Sequence, residues 1–432
     1  MRQLWIVLSF VASLMSYPAW GASDDLSPLG DALAHVRSTH GVNEMRDAGP
    51  ELTPVKQLLR AWVERQLPAE PTPFGPYQMV QLPGPEDFES LSQRLNKALG
   101  DAGLTCGDIA STTYRCSRGS LDQDDARGYL GEVRVSSLDY GRYLLLVTAV
   151  GIHCGFDESA YIYVRGPDHN WRLLLQNEKN RYGKDEYAPE NFLSVDVSPA
   201  SVAWNEPAAP PLVLTLGYSP WCSSNWQALS IHLWRASGST PTPTPLIDRE
   251  ETLYIGDDQI ASARLTRTDL LIEYRGQSID SGTLIRSHVE HYRIDPGDKL
   301  ERIAPVALNP GDFVEEWLTK DWREASRWTG AGADTSVSAR NHTSLHADFG
   351  DFDSPAKRCR GDPTLWQFGF AAEDPKRKDY SSGPESYFLV RWMAPFRFSL
   401  VRIQRRPFSR CDVADPMPDD IGTLFPGQGW TR

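Results

Sequence analysis

Three short stretches carry the side chains best suited to hold a ligand: His153, Asp157 and Glu158 in one, Trp221, Asn225 and Trp226 in a second, and Asp280 in a third. Imidazole, carboxylate, amide and indole groups gathered on one rim bind sugars or peptides, and loops on a rigid scaffold are where such groups usually sit. These stretches belong together because each connects the second and third strands of a repeated pattern. A structural account competes with this one: a disulfide in the loops, Trp rings packed beside it, and polar groups that cap turns.

Other chemistries have weaker support. His288 and His291 stand three apart in a strand pattern, so their rings leave opposite faces. His342, His346 and Asp348 would converge only on a helix, whereas the small, polar run over 330–343 reads as a loop carrying surface histidines. Acids cluster at Asp122, Asp124 and Asp125 and again at Asp348, Asp351 and Asp353. Neither cluster has the D-x-[DN]-x-[DN]-G frame of a calcium loop, so no metal or other cofactor is assigned. The sequence has no G-x-S-x-G, no reactive-cysteine signature and no glycine-rich phosphate loop, and it names no catalytic residue. Paired acids for glycoside hydrolysis would be distant in sequence, and any two of the 57 Asp and Glu residues would serve.

One segment departs from the charge of the whole. The chain holds 44 Lys and Arg against 57 Asp and Glu, a net −13, which argues against general nucleic-acid binding. Residues 355–410 hold twelve Lys or Arg against five Asp or Glu, a net +7. Arg391, Arg397, Arg402, Arg405, Arg406 and Arg410 run without an acid between Glu385 and Asp412, interleaved with Trp392, Phe396 and Phe398. Such a stripe fits an anionic surface, an acidic polysaccharide or lipid head groups; the competing account is the solvent face of two strands paired with acids elsewhere.

The elements that must position these groups are strands. A four-strand pattern occurs three times. The first copy reads Glu132–Ser137, Tyr143–Ile152, Ala160–Arg165 and Trp171–Asn177. The second reads Phe192–Ser198, Pro211–Tyr218, Ala228–Arg235 and Pro245–Glu251, and the third Ala261–Thr266, Asp269–Arg275, Ser287–Ile294 and Lys299–Val306. Setting Leu144-Leu145-Leu146 on Leu212-Val213-Leu214 brings Cys154 onto Cys222. One such meander cannot bury both of its faces alone, so the copies must stack. The fold class expected is mainly β, with repeated four-stranded antiparallel meanders in a propeller-like arrangement. Paired β-sandwiches are the rival. Trp171, Trp234 and Trp317 read as core.

Helices flank the strands. Thr53-Pro54 followed by Val55, Leu58, Leu59, Trp62 and Val63 predicts a helix capped by Thr53. Prolines at 68, 71, 73 and 76 make a stiff linker. Tyr77–Leu82 alternates as a strand, and Pro85–Leu99 is helical with Phe88, Leu91, Leu95 and Leu99 on one side. Asn309-Pro310 starts a peripheral helix reaching about Trp328. Strands return over Thr364–Phe370, Glu385–Trp392 and Phe396–Ile403, enough for a fourth unit. The organisation expected is a leader over 1–22, a helical region and linker over 23–75, and a mixed segment over 76–131. The meanders then occupy 132–308, a helix and loop 309–343, and a β segment 344–432.

The leader reading rests on Arg2, the apolar run Leu4–Met15 and the small residues before position 23, which fit a secretory signal peptide. Nothing later is long and apolar enough to span a bilayer as a helix. Six cysteines in an exported chain read as disulfides. The pairings expected are Cys106 with Cys116, Cys154 with Cys222, and Cys359 with Cys411, chosen from fifteen possible sets.

In strand count and spacing the meanders resemble exported bacterial propellers of the FG-GAP type. They depart from that type in lacking the acidic D-x-D-x-D-G loop in all three copies, so its calcium sites are not carried over. The reading is a periplasmic or secreted, disulfide-bonded binding or scaffold module without a catalytic centre, whose partner is a glycan, a peptide or an anionic envelope component. The alternative is a hydrolase of an envelope polymer that works through a carboxylate pair.

Overall fold

The structure, a computed structural model, describes residues 25–39, 49–67, 85–110, 113–116, 119–122, 128–139, 141–152, 155–165, 170–180, 190–199, 210–219, 224–236, 245–256, 261–280, 284–330, 334–345, 350–352, 356–372, 385–393 and 397–414. The leader over 1–22, the linker over 68–76 and the strand expected at Tyr77–Leu82 lie outside them.

Three helices come first: α1 (Ser27–Thr39), α2 (Gly49–Gln66) and α3 (Pro85–Asp101). The expected stripe of α3 is buried along its length, at Phe88, Leu91, Leu95 and Leu99. Gly103, at φ +75°, turns the chain so that the Leu104 N–H closes on the Leu99 carbonyl at 3.0 Å. α2 starts a turn earlier than Thr53. Pro50 takes the first turn, where its missing N–H would be unsatisfied anyway, and Pro54 is tolerated inside with the loss of one hydrogen bond. Thr53 therefore does not cap the helix, and its hydroxyl donates to the Gly49 carbonyl at 2.8 Å.

A small antiparallel sheet follows, made of β1 (Cys106–Ala110), β2 (Thr113–Cys116) and β3 (Gly119–Asp122), with Cys106 opposite Cys116 in the register. The side chains of 106 and 116, and the bond expected between them, lie outside what is described, as do Cys154 and Cys222.

The three meanders are all present. The first is β4 (Arg134–Leu138), β5 (Tyr143–Ile152), β6 (Gly155–Arg165) and β7 (Trp171–Asn177), a sheet in chain order. The second is β8 (Asn191–Val197), β9 (Leu212–Ser219), β10 (Trp226–Arg235) and β11 (Pro245–Tyr254). The third is β12 (Ala261–Leu265), β13 (Asp269–Gln277), β14 (Ile285–Ile294) and β15 (Leu300–Ile303). A single ladder pair, Leu253 opposite Gly276, joins the second and third into one eight-stranded sheet.

Side-chain alternation decides how they pack. Along β5, Leu144, Leu146, Val150 and Ile152 face the helices, while Tyr143, Leu145 and Val147 meet Val213 and Trp234 of the second meander. On that meander Leu212, Leu214, Leu216, Leu229, Ile231 and Leu233 take the other face and meet Leu270, Ile272 and Tyr274 of the third. The chain is mainly β, built of antiparallel sheets, and each meander packs an apolar face against the next in chain order.

The C-terminal part departs from expectation in its helices. The stretch expected as one peripheral helix is α4 (Pro310–Thr319), then α5 (Trp322–Ala325) and a 3-10 turn over Ser326–Trp328. Asn309 caps α4 as predicted, accepting from the Asp312 N–H at 2.9 Å, but Asp321 interrupts the helix by capping a new one through the Glu324 N–H. α4 is central, with Phe313, Val314, Trp317 and Leu318 fully buried. The loop expected over 330–343 is largely α6 (Thr335–Leu345), started by Asp334, which accepts from the N–H groups of Ser336 and Val337. Its buried stripe is Ser338, His342 and Leu345, polar enough to pass for a loop. His342 is thus no surface residue; it packs edge-on against Trp317 with Nε2 bonded to the Lys320 carbonyl.

A six-stranded sheet completes the chain: β16 (Gly350–Phe352), β17 (Lys357–Cys359), β18 (Leu365–Ala372), β19 (Ser386–Met393), β20 (Arg397–Gln404) and β21 (Cys411–Ala414). Its core face, Trp366, Phe368, Phe370, Phe388, Val390, Phe398 and Leu400, closes on α4. Cys359 and Cys411, opposite each other on β17 and β21, form the expected disulfide.

Buried ions fix α4 against the third meander. Glu316 sits between Arg286 (2.6 Å) and Arg302 (2.9 Å), and Glu315 pairs with Arg286 at 2.7 Å. Burial alone would raise the Glu316 carboxyl, but Arg302 and Arg286 outweigh it and hold the group well below the usual carboxylate value. Glu316→Ala leaves buried guanidinium charge with less compensation, and the expected loss of unfolding free energy is about 3–5 kcal/mol. Glu301→Ala, an exposed group 4.0 Å from Arg327, should change it by less than about 1 kcal/mol. Urea denaturation of both variants checks this, and equal midpoints would show that the network contributes nothing.

Candidate functional site

The expected rim is shorter than its loops suggested. β5 and β6 pair as far as Ile152 opposite Gly155, so Asp157 and Glu158 are strand residues and only 153–154 connect. His153 and Trp221 lie outside the described residues. Strand alternation sends the two acids to opposite faces. Asp157 is fully buried against α2, 2.5 Å from Lys56 Nζ. Glu158 accepts from Arg134 (2.9 Å) and from the Phe192 N–H of the second meander (2.7 Å). Trp226 opens β10 and packs edge-on against Tyr254, while the exposed Asn225 uses its carbonyl to accept from the Ile255 N–H. Asp280 bridges to Gly350 of the C-terminal sheet. These five therefore hold sheets, helix and hairpins together, and their carboxylates do not converge.

A different set does converge, along α2. Thr53, Lys56, Arg60 and Glu64 recur every three or four residues, so they form one stripe on the helix. Opposite them run the odd residues of β6. Lys56 meets Asp157, Arg60 lies over the Tyr161 ring at 5.4 Å, and the Tyr163 hydroxyl donates to Glu64 at 2.9 Å. The end of β7 and the segment after it supply the other side, with Gln176 bonded to Arg60, the Lys179 carbonyl to Lys56, and Asn180 to Thr53. Burial, and then the Glu64 charge, push the Tyr163 phenol far up, so it stays protonated and donates.

This polar seam opens at the C-terminal end of α2 into a cleft of about 490 Å³ lined by Glu64, Arg65, Leu67, Tyr163, Asn170, Trp171 and Leu173. Trp171 is half-buried, with Phe88 edge-on at 6.4 Å and the Arg165 guanidinium over its ring at 5.8 Å. Nε and Nη1 of Arg165 have no hydrogen-bond partner among the described residues. The cleft thus offers the Trp171 indole, the Glu64 carboxylate oriented by Tyr163, the Asn170 amide and the Arg65 guanidinium. Sequence reading assigned Trp171 to the core. The signal that would have found the site is the charged stripe on α2 beside its apolar one.

Another acid-base cluster lies between the first and second meanders. His232 stacks on Trp234, with Nδ1 3.1 Å from Asp248 and Nε2 3.9 Å from Glu190. Burial lowers the His232 pKa despite Asp248. Glu190 is 1% exposed, and its carboxylate fills the space beside Gly217, where any Cβ would lie 2.6 Å from it. Burial pushes its pKa up to about 7, with Lys179 and Lys56 opposing and Asp157 adding to the rise.

Histidines 288 and 291 do leave opposite faces of β14: His288 stacks on Tyr274, and His291 bonds the Ala304 carbonyl. Among the described residues no three His, Cys, Asp or Glu side chains are placed to hold a metal. Asp124, Asp125, His346, Asp348, Asp353 and Phe396 lie outside them. No protein-family model and no curated protein matches the chain, so the site is judged on its own chemistry.

The raised Glu190 pKa has a definite sign. The native state binds the carboxyl proton more tightly than the unfolded chain, whose value is 4.5. Stability from this group is therefore full below about pH 4.5 and falls as pH rises towards 7, by at most about 1.4 kcal/mol per pH unit. Glu190→Gln should flatten that fall, gaining thermal stability relative to wild type at pH 8 and little at pH 5. Melting curves at the two pH values check it, and parallel shifts would refute the assignment.

Proposed function

We propose that the chain is an exported binding module that takes a glycan of the cell envelope in the cleft at the end of α2. The observation that carries this reading is the grouping of Trp171, Glu64, Arg65 and Asn170 around one open cleft. A sugar ring presents an apolar face to an indole and hydroxyls to planar polar groups, and a pocket with an aromatic wall and few polar contacts matches it. Support for export comes from the Arg2 and Leu4–Met15 leader pattern and from the Cys359–Cys411 disulfide. Among the described residues no helix is long and apolar enough to cross a membrane.

A hydrolase needs two carboxyl groups roughly 5 to 10 Å apart facing the bond to be cut. The cleft supplies one acid, Glu64, already engaged by Tyr163 and near Arg60. The Glu190 cluster has more suitable proton chemistry but is buried between sheets. Binding is therefore the better supported function.

The test is a glycan and peptidoglycan-fragment array on the oxidised full chain, with soluble products analysed from the same wells. Binding without products is expected, and Trp171→Ala should weaken it by about ten- to thirtyfold, the loss typical of an aromatic anchor. Asn170→Ala, at an exposed position, serves as the variant that leaves packing intact. Binding indifferent to both changes would exclude the cleft, and products that vanish in Glu64→Gln would make it a hydrolase site.

A further inference from the structure

The β19–β20 hairpin carries a surface that the cleft does not use. Trp392 and Met393, adjacent in sequence, are 40% and 44% exposed. They end β19 where the ladder closes, Trp392 opposite Phe398 and Met393 opposite Arg397. The register, with its irregularity between Leu389 and Val390, places Arg391, Met393, Arg397 and Arg402 on the face turned away from α4. Trp392 follows the core face beyond the point where the core ends, which leaves its ring part exposed at the end of the ladder.

The charges on this face are unbalanced. Arg391 is paired with Asp362 at 3.2 Å and Arg360 with Asp412 at 2.8 Å, so these two acids are engaged. Arg397 and Arg402 are exposed and have no ion pair among the described residues. In a chain of net charge −13 such a face attracts an anionic partner only in one orientation.

We propose that the tip of this hairpin docks the protein on an anionic lipid surface, with Trp392 and Met393 at head-group depth and Arg391, Arg397 and Arg402 against the phosphates. A soluble polyanion would need the arginines alone. Two adjacent large apolar side chains left in water between arginines are what a lipid interface accommodates, since Trp favours the head-group level and arginines pair with phosphate. The lipid provides both complements at once.

The experiment is flotation of the oxidised full chain with phosphatidylcholine vesicles, with and without phosphatidylglycerol. Binding to the anionic vesicles alone, weakening with salt, is expected. Each arginine removed should lower it about fivefold, so Arg397→Ala with Arg402→Ala should cost about 25-fold. Trp392→Ser with Met393→Ser should lose vesicle binding while leaving retention on dextran sulfate unchanged. Trp171→Ala should bind vesicles like wild type, which keeps this surface separate from the cleft. Circular dichroism melts confirm that the variants fold. No preference for anionic vesicles overturns the proposal. So does binding that survives loss of Trp392 and Met393, which would assign the arginines to an acidic polysaccharide.

Discussion

A four-stranded meander has two apolar faces, and neither can be left in water. For the second meander, exposing only Leu212, Leu214, Leu216, Leu229, Ile231 and Leu233 would forfeit roughly 9–18 kcal/mol, at about 1.5–3 per side chain. That equals the whole net stability of an ordinary domain. The architecture follows from this constraint: each meander is covered by its neighbours in sequence, the first by α1, α2 and α3 on its free side. Contacts form mainly between consecutive units, so the chain can assemble in order along its length. Single-residue alternation along β5 and β9 is what divides the apolar side chains between the two cores.

Where coverage is not apolar, it is ionic and fully desolvated. Lys56 and Asp157 tie α2 to the first sheet, and Glu316 ties α4 to the third through two arginines. Such pairs add little net stability compared with apolar replacements, but a helix docked in any other register would leave charges unpaired at much greater cost. The buried acids therefore act mainly on where the helices can sit. For α2 this matters to the cleft, because the same stripe that carries Lys56 delivers Glu64 beside Tyr163.

Much of the fold was legible because strands obey a short period. The runs around Leu144, Leu212 and Leu270 alternate or stay apolar between turn residues, and the structure places strands at each. What failed had local causes. Ser338, His342 and Leu345 make a buried stripe too polar to read as one, so α6 passed for a loop. Asp157 and Glu158 looked like loop residues because β6 already pairs with β5 from Gly155 onward. The cleft left only one trace in the sequence, the charged stripe of α2. Its parts come from 64–67, 163 and 170–173, brought together by helix docking, and Trp171 in a strand has the same local sequence signature as a core residue.

The disulfide between Cys359 and Cys411 spans 52 residues and lies at the edge of the sheet remote from β20. It encloses β18, β19, β20 and the hairpin tip within one covalent ring. A protease that severs a connection inside that ring releases no fragment, because both new ends remain joined through the bond. A chain cut once at this sheet would keep its mass until the bond was reduced.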